Sequence, residues 1–103
     1  MKESTIQKKI LDYLNGLPHC TAYKIAQGPY SQGGILDIVC CKNGFFLAIE
    51  VKRPGGKATK KQLKRVREIK EAQGQAIIAD CIEDAVKIIA FIYKDKNILR
   101  LGL

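Results

Sequence analysis

Asn43-Gly44 constrains this chain more than any other feature. It sits between two apolar, strand-like runs, residues 35–41 and Phe45–Val51. Asn-Gly between such runs is the strongest short-range signal for a two-residue hairpin turn, because both residues tolerate positive φ. With that turn, Lys42 pairs with Phe45, and the register carries along the strands until Asp37 stands directly opposite Glu50. Opposed residues point to the same face with Cβ atoms about 4.5–5.5 Å apart. Lys52, two residues beyond Glu50, shares that face. Two carboxylates set together on apolar strands repel each other, and a divalent cation relieves the conflict. The hairpin therefore reads as a metal site with a lysine beside it. By itself, Glu-x-Lys on a strand is an ordinary solvated edge, and a one-residue slip would send Asp37 to the other face. The register argues for the site, because Asp37 is the sole acid between Asp12 and Glu50 and falls where the pairing needs it.

The flanking segments supply the rest of a domain. Glu3–Asn15 reads as a helix with Ile6, Ile10 and Leu14 in an apolar stripe that Leu17 continues, ended by Gly16 and Pro18. Glu3 lies near that stripe and either points towards the sheet or is a first-turn acid favoured by the helix dipole. Residues 20–26 form a first strand. Residues 27–34 are a Gly-rich loop, either a close approach to a phosphate backbone, with Ser31 as a donor, or an ordinary surface loop. After Lys52, Pro54 and two glycines break the chain. Thr59 with Gln62 then makes a capping box for a helix over 60–73. Gln75–Ala79 is a short strand, and Asp80 with Glu83 caps a last helix that carries Ala85, Ile89 and Ile92 on its buried side. The order is αβββαβα. It gives an α/β fold with a central mixed β-sheet flanked by helices, the hairpin antiparallel and the unit of Phe45–Val51, the helix over 60–73 and Gln75–Ala79 a parallel crossover. Residues 1–92 make the domain. Residues 93–103 are a C-terminal tail, either an extra strand or a loosely ordered end.

At 103 residues and 47% hydrophobic, the chain is one ordinary globular domain. Its formal charge of +8 favours a polyanionic partner, nucleic acid first. Lys57, Lys60, Lys61, Lys64 and Arg65 cluster just after the acidic hairpin and read as a nucleic-acid footprint, against the alternative of a solvated lysine-rich helix face. With no Trp, contact through phosphates and shape is expected over base readout. Cys20, Cys40, Cys41 and Cys81 show no CxxC spacing. They read as small buried hydrophobes, reduced, in a cytoplasmic protein. The start, Met-Lys-Glu-Ser-Thr, lacks a signal-peptide core, and no run is long enough for a membrane span. His19, beside Pro18, is expected at the surface.

The order helix-Glu3, Gly34-Ile-Leu-Asp37, Ile49-Glu-Val-Lys52, then a helix with an early Gln62, resembles the PD-(D/E)XK nuclease superfamily, whose core is restriction-endonuclease-like. Within it the chain is similar to stand-alone VRR-NUC domains over roughly residues 3–92. The resemblance implies that Asp37, Glu50 and the Val51 carbonyl hold Mg²⁺ or Mn²⁺. It also implies that Glu3 is a metal or water ligand, Lys52 the catalytic lysine and Gln62 an auxiliary site residue. Leu36 stands where the superfamily's first motif has proline. The chemistry agrees: hard oxygen ligands suit Mg²⁺ or Mn²⁺, and such an ion activates water and polarises a phosphoryl oxygen. The activity implied is a metal-dependent, structure-selective DNA endonuclease, cutting branched DNA such as four-way (Holliday) junctions as a homodimer. Three alternatives stay open: a non-specific or tRNA-directed nuclease, a non-catalytic nucleic-acid-binding module on the same scaffold, and a structural basic domain whose hairpin acids pair with lysines.

Overall fold

The computed structural model describes the backbone of residues 1–26 and 33–101 and the side chains of 1–26 and 33–94. The elements are α1 (Glu3–Asn15), β1 (Cys20–Lys24), β2 (Ile38–Lys42), β3 (Phe45–Val51), α2 (Lys60–Glu71), β4 (Gln75–Ala79) and α3 (Ile82–Leu101). They build one four-stranded mixed sheet in the order β1-β2-β3-β4. The first three strands are antiparallel, and β4 returns parallel to β3 through α2. This is the α/β arrangement expected from the sequence.

The hairpin register is the one that Asn43-Gly44 demands. Lys42 pairs with Phe45, Cys40 with Leu47 and Ile38 with Ile49. Asn43 and Gly44 have φ of 54° and 80°, the double positive that a primed turn needs. Alternation along β3 then sends Leu47, Ile49 and Val51 to one face. There they pack with Ile6, Ile10 and Leu14 of α1 and Ala85, Ile89 and Ile92 of α3. Ala48 goes to the other face, where α2 closes a smaller core of Leu36, Val66 and Ala76. Because α2 lies over the β3–β4 side, Tyr23 on β1 and Cys41 on β2 stay exposed.

Several details differ from expectation, each for a packing reason. β2 begins at Ile38, three residues later than the apolar run suggested, because Gly34 and Leu36 leave the ladder to pack against α2. The last helix runs to Leu101, where sequence offered an extra strand or loose tail after Ile92. Ile92 is its last buried residue among those described, and Tyr93 and Lys94 after it are exposed. The helix start is shifted by one residue. Asp84, not Glu83, reaches back, and its Oδ2 accepts the Asp80 N–H at 3.1 Å.

Of the cysteines only Cys40 is buried, and Cys41 on the open face is exposed. The Cys20 and Cys40 sulfurs lie 3.4 Å apart as free thiols. Burial first, then the Cys20 thiol, pushes Cys40 up to about 12, so it stays protonated and unreactive. At the sheet's β1 edge, Asn15 clasps Ala22 with both amide groups, donating from Nδ2 to its carbonyl (3.1 Å) and accepting its N–H at Oδ1 (2.9 Å). His19 is exposed, as expected, with φ 52°. Among the described residues no helix is long and apolar enough to cross a membrane.

Candidate active site

The acidic end of the hairpin forms at the C-terminal ends of β3 and β4. Asp37 sits one residue before β2, beyond the last ladder pair of Ile38 with Ile49, so it stands across from Glu50 as the register requires. It is held from two sides. Its carbonyl accepts the Ile25 N–H at 2.8 Å, and its Oδ2 accepts the Val51 N–H at 2.9 Å. A side-chain oxygen thus continues the bonding where the β2–β3 ladder stops.

Glu50 is 3% exposed, one of two charged residues buried among those described. Its Oε2 lies 3.4 Å from the Lys52 ammonium. Its Oε1 is buried and has no hydrogen-bond partner. Burial above all, and next the Asp37 carboxylate, push Glu50 up to about 7, and Lys52 only partly counters them. Asp37 is close enough for a protonated carboxyl on one residue to bond the other. Lys52 is itself largely buried, and its backbone N–H is fixed by the Ala79 carbonyl at 2.8 Å. β4 therefore sets the lysine's position.

The other sequence candidates divide. Glu3 reaches this end of the sheet, where its Oε1 accepts the Arg53 N–H at 3.3 Å. Gln62 caps α2: its Oε1 accepts the Thr59 N–H at 2.8 Å, and its own N–H donates to Thr59 Oγ1 at 3.1 Å. Its carbonyl oxygen is thereby committed to the helix start. Lys57, Lys60, Lys61, Lys64 and Arg65 are exposed on and before the first turns of α2. Ser31 lies outside the described residues.

Two residues outside the candidate set line a cleft of about 550 Å³ with Asp37: Gln7 of α1, on the helix face it shares with Glu3, and Lys24 of β1, which sequence reasoning passed over. Gln7 is one helical turn after Glu3, a signal that was available. Lys24 pairs with Ile38, next to Asp37, through a β1–β2 register that no turn motif announces.

The acid pair suits a divalent cation. A buried carboxylate oxygen without a donor, beside a second carboxylate, is unfavourable unless a proton or a cation satisfies it. The donors are hard oxygens, which match Mg²⁺ or Mn²⁺ better than zinc. Among the described residues, one trio of His, Cys, Asp or Glu brings its ligand atoms within 4.8 Å of one another, and it is Asp80, Cys81 and Asp84. That trio spans the entry to α3, with Asp80 and Cys81 before the helix and Asp84 in its first turn, where the Asp80 N–H to Asp84 bond gives it a structural role.

The fold that positions this acid pair is a four-stranded mixed sheet with α1 and α3 on one face and α2 on the other. Two solved structures share it. One, described as a VRR_NUC domain, has a TM-score of 0.70 at 19% identity, covering 85% of this chain and 94% of that one. The other, a VRR_NUC domain protein, has a TM-score of 0.69 at 15% identity, covering 87% and 86%. The chain thus has the VRR_NUC fold. Its sequence matches no protein-family model and no curated protein.

Proposed function

We propose that this protein is a Mg²⁺- or Mn²⁺-dependent DNA endonuclease acting through the hairpin site. The observation that carries the reading is Glu50: a buried carboxylate with one oxygen unpartnered, pressed against Asp37 and salt-bridged to Lys52. Asp37, Glu50 and the Val51 carbonyl would hold the ion, with Glu3 as a further ligand or water-binding acid. When bound, the ion would lower the pKa of water and polarise the phosphoryl oxygen. Lys52 donates to the attacking water and to the phosphate as charge builds. Asp37 stays oriented through the Val51 N–H, and Gln62 fixes the start of the helix that carries the basic cluster.

Lys57, Lys60, Lys61, Lys64 and Arg65, with Ser31 from the loop, form the nucleic-acid footprint, supported by the formal charge of +8. Residues 1–92 constitute the nuclease domain, a reading supported by Ile92 being the last buried residue among those described. The substrate is branched DNA, four-way junctions first. A chain this small offers a large substrate little surface alone, and a two-fold homodimer presents paired sites to a two-fold junction. Four free cysteines fit a reducing, cytoplasmic setting.

The test is cleavage of a labelled four-way junction and a matched linear duplex with Mg²⁺ or Mn²⁺, by wild type and Lys52→Ala. Paired symmetric nicks in the junction, absent in the variant, are expected. Equal cutting of both substrates removes the junction preference. Binding without any cleavage makes the protein a non-catalytic nucleic-acid-binding module.

A further inference from the structure

Three residues before Asp37 the chain makes a feature that the acid pair does not use. Gly33 and Gly34 have φ of +76° and +75°, and they lie against the first turn of α2. A Cβ on Gly34 would stand 3.2 Å from the Lys61 carbonyl oxygen and 3.3 Å from Lys61 Cβ. Only glycine allows both that conformation and that approach. The Gly34 carbonyl accepts from Arg65 Nε at 3.4 Å, which ties the glycine wall to the helix. Beside them lies a cleft of about 480 Å³ lined by Gly33, Gly34, Lys61, Lys64, Arg65 and Glu68.

We propose that this cleft holds a non-reacting phosphate of the bound nucleic-acid backbone, gripped by Lys64 and Arg65 against the bare Gly33-Gly34 wall. The inference rests on the nuclease reading and adds a separation to it: strand binding and bond cleavage are carried by different groups. Among the described residues the lining brings three cations and a single acid, Glu68, which pairs with the Arg65 guanidinium at 3.5 Å on a half-exposed surface. Such a pair is weak in water. Its guanidinium can turn to a phosphate, which it matches with paired N–H donors. The two glycines let the chain pass this close to α2, which sets the cleft directly beside Lys64 and Arg65. Three residues of chain reach at most about 10 Å, so the phosphate held here neighbours the one that reacts at Asp37.

The experiment is binding of a labelled DNA duplex in EDTA, by fluorescence anisotropy across a salt series, followed by steady-state cleavage with Mg²⁺. Lys64→Ala and Arg65→Gln are compared with Lys87→Ala, which removes an exposed charge on α3. All three side chains are exposed, so folding is preserved. Lys64→Ala and Arg65→Gln are each expected to weaken binding and to lower the slope of log K against log salt by about 1. Lys87→Ala leaves the slope unchanged. In cleavage, KM rises by a larger factor than kcat falls. The proposal is overturned if both cleft variants keep the wild-type slope, or if kcat falls with KM unchanged. Reduced slopes from a protein that cuts nothing would sink the nuclease reading while leaving the cleft; cleavage with unchanged slopes would do the reverse.

Discussion

The β2–β3 hairpin buries a charge at each end, and the two ends solve the problem differently. At the turn, Lys42 is 7% exposed, and its ammonium donates to the Pro18 carbonyl at 2.7 Å and to Asn43 Oδ1 at 2.6 Å. It is enclosed by acceptors and locks the turn to the segment after α1. At the open end, Glu50 is buried as deeply but keeps an oxygen without a donor and has a like charge beside it. One buried charge is satisfied by the chain that surrounds it; the other needs something from outside. The contrast separates a group that serves the fold from a group that the fold tolerates, and it can be broken or sharpened by substitution.

The largest expected effect is on activity. Glu50→Gln should reduce cleavage by at least about 100-fold, the scale of losing a group that acts on the transition state. Without divalent cation it should not lower the melting temperature, because it removes an unfavourable ionisation. A clear loss of stability would place Glu50 with Lys42 as a fold residue. Lys42→Met tests the other side. It leaves the Pro18 carbonyl and Asn43 Oδ1 unpartnered, which costs about 1–3 kcal/mol and lowers the melting temperature by several degrees, with cleavage per folded molecule retained.

Smaller effects come from titration. A carboxyl raised to about 7 in the folded protein and near 4.5 when unfolded binds more protons folded than unfolded between those values. Stability in EDTA should therefore fall as pH rises from about 4.5 to 7, and the penalty should persist above 7. Glu50→Gln should flatten that dependence, and Mn²⁺ at pH 8 should raise the wild-type melting temperature. Melting curves across pH decide both points; no response to Mn²⁺ would favour the structural reading of the acids. The smallest effect is Asp37→Asn. NMR titration should show Glu50 moving down while remaining above an ordinary glutamate, since burial is the larger cause and Asp37 the second. A Glu50 titration that does not move would show that the two carboxyls act independently.

The hairpin site was legible because its information is local. A turn type fixes a register, and the register fixes which residues face each other, so Asp37, Glu50 and Lys52 followed from Asn43-Gly44 and counting. The α2 capping box was equally local. What sequence could not give depends on packing between distant segments: Lys24 beside Asp37, Glu3 on the Arg53 N–H, and Gly34 against Lys61. By helical spacing Leu63, Val66 and Ile69 form one apolar stripe on α2. Leu63 belongs to it by spacing yet is 43% exposed, because the helix meets the sheet chiefly through Val66 and Ile69. Periodicity states which face is apolar but not how much of it is covered.

The bond from the Val51 amide to Asp37 has a kinetic consequence. That proton is released to solvent only when a side chain on one strand lets go of the backbone of the next. Its exchange with deuterium is then a clock for the opening of the site, read at one position while the hairpin below stays zipped. The mouth of the protein can breathe on its own schedule, and a single amide keeps the time.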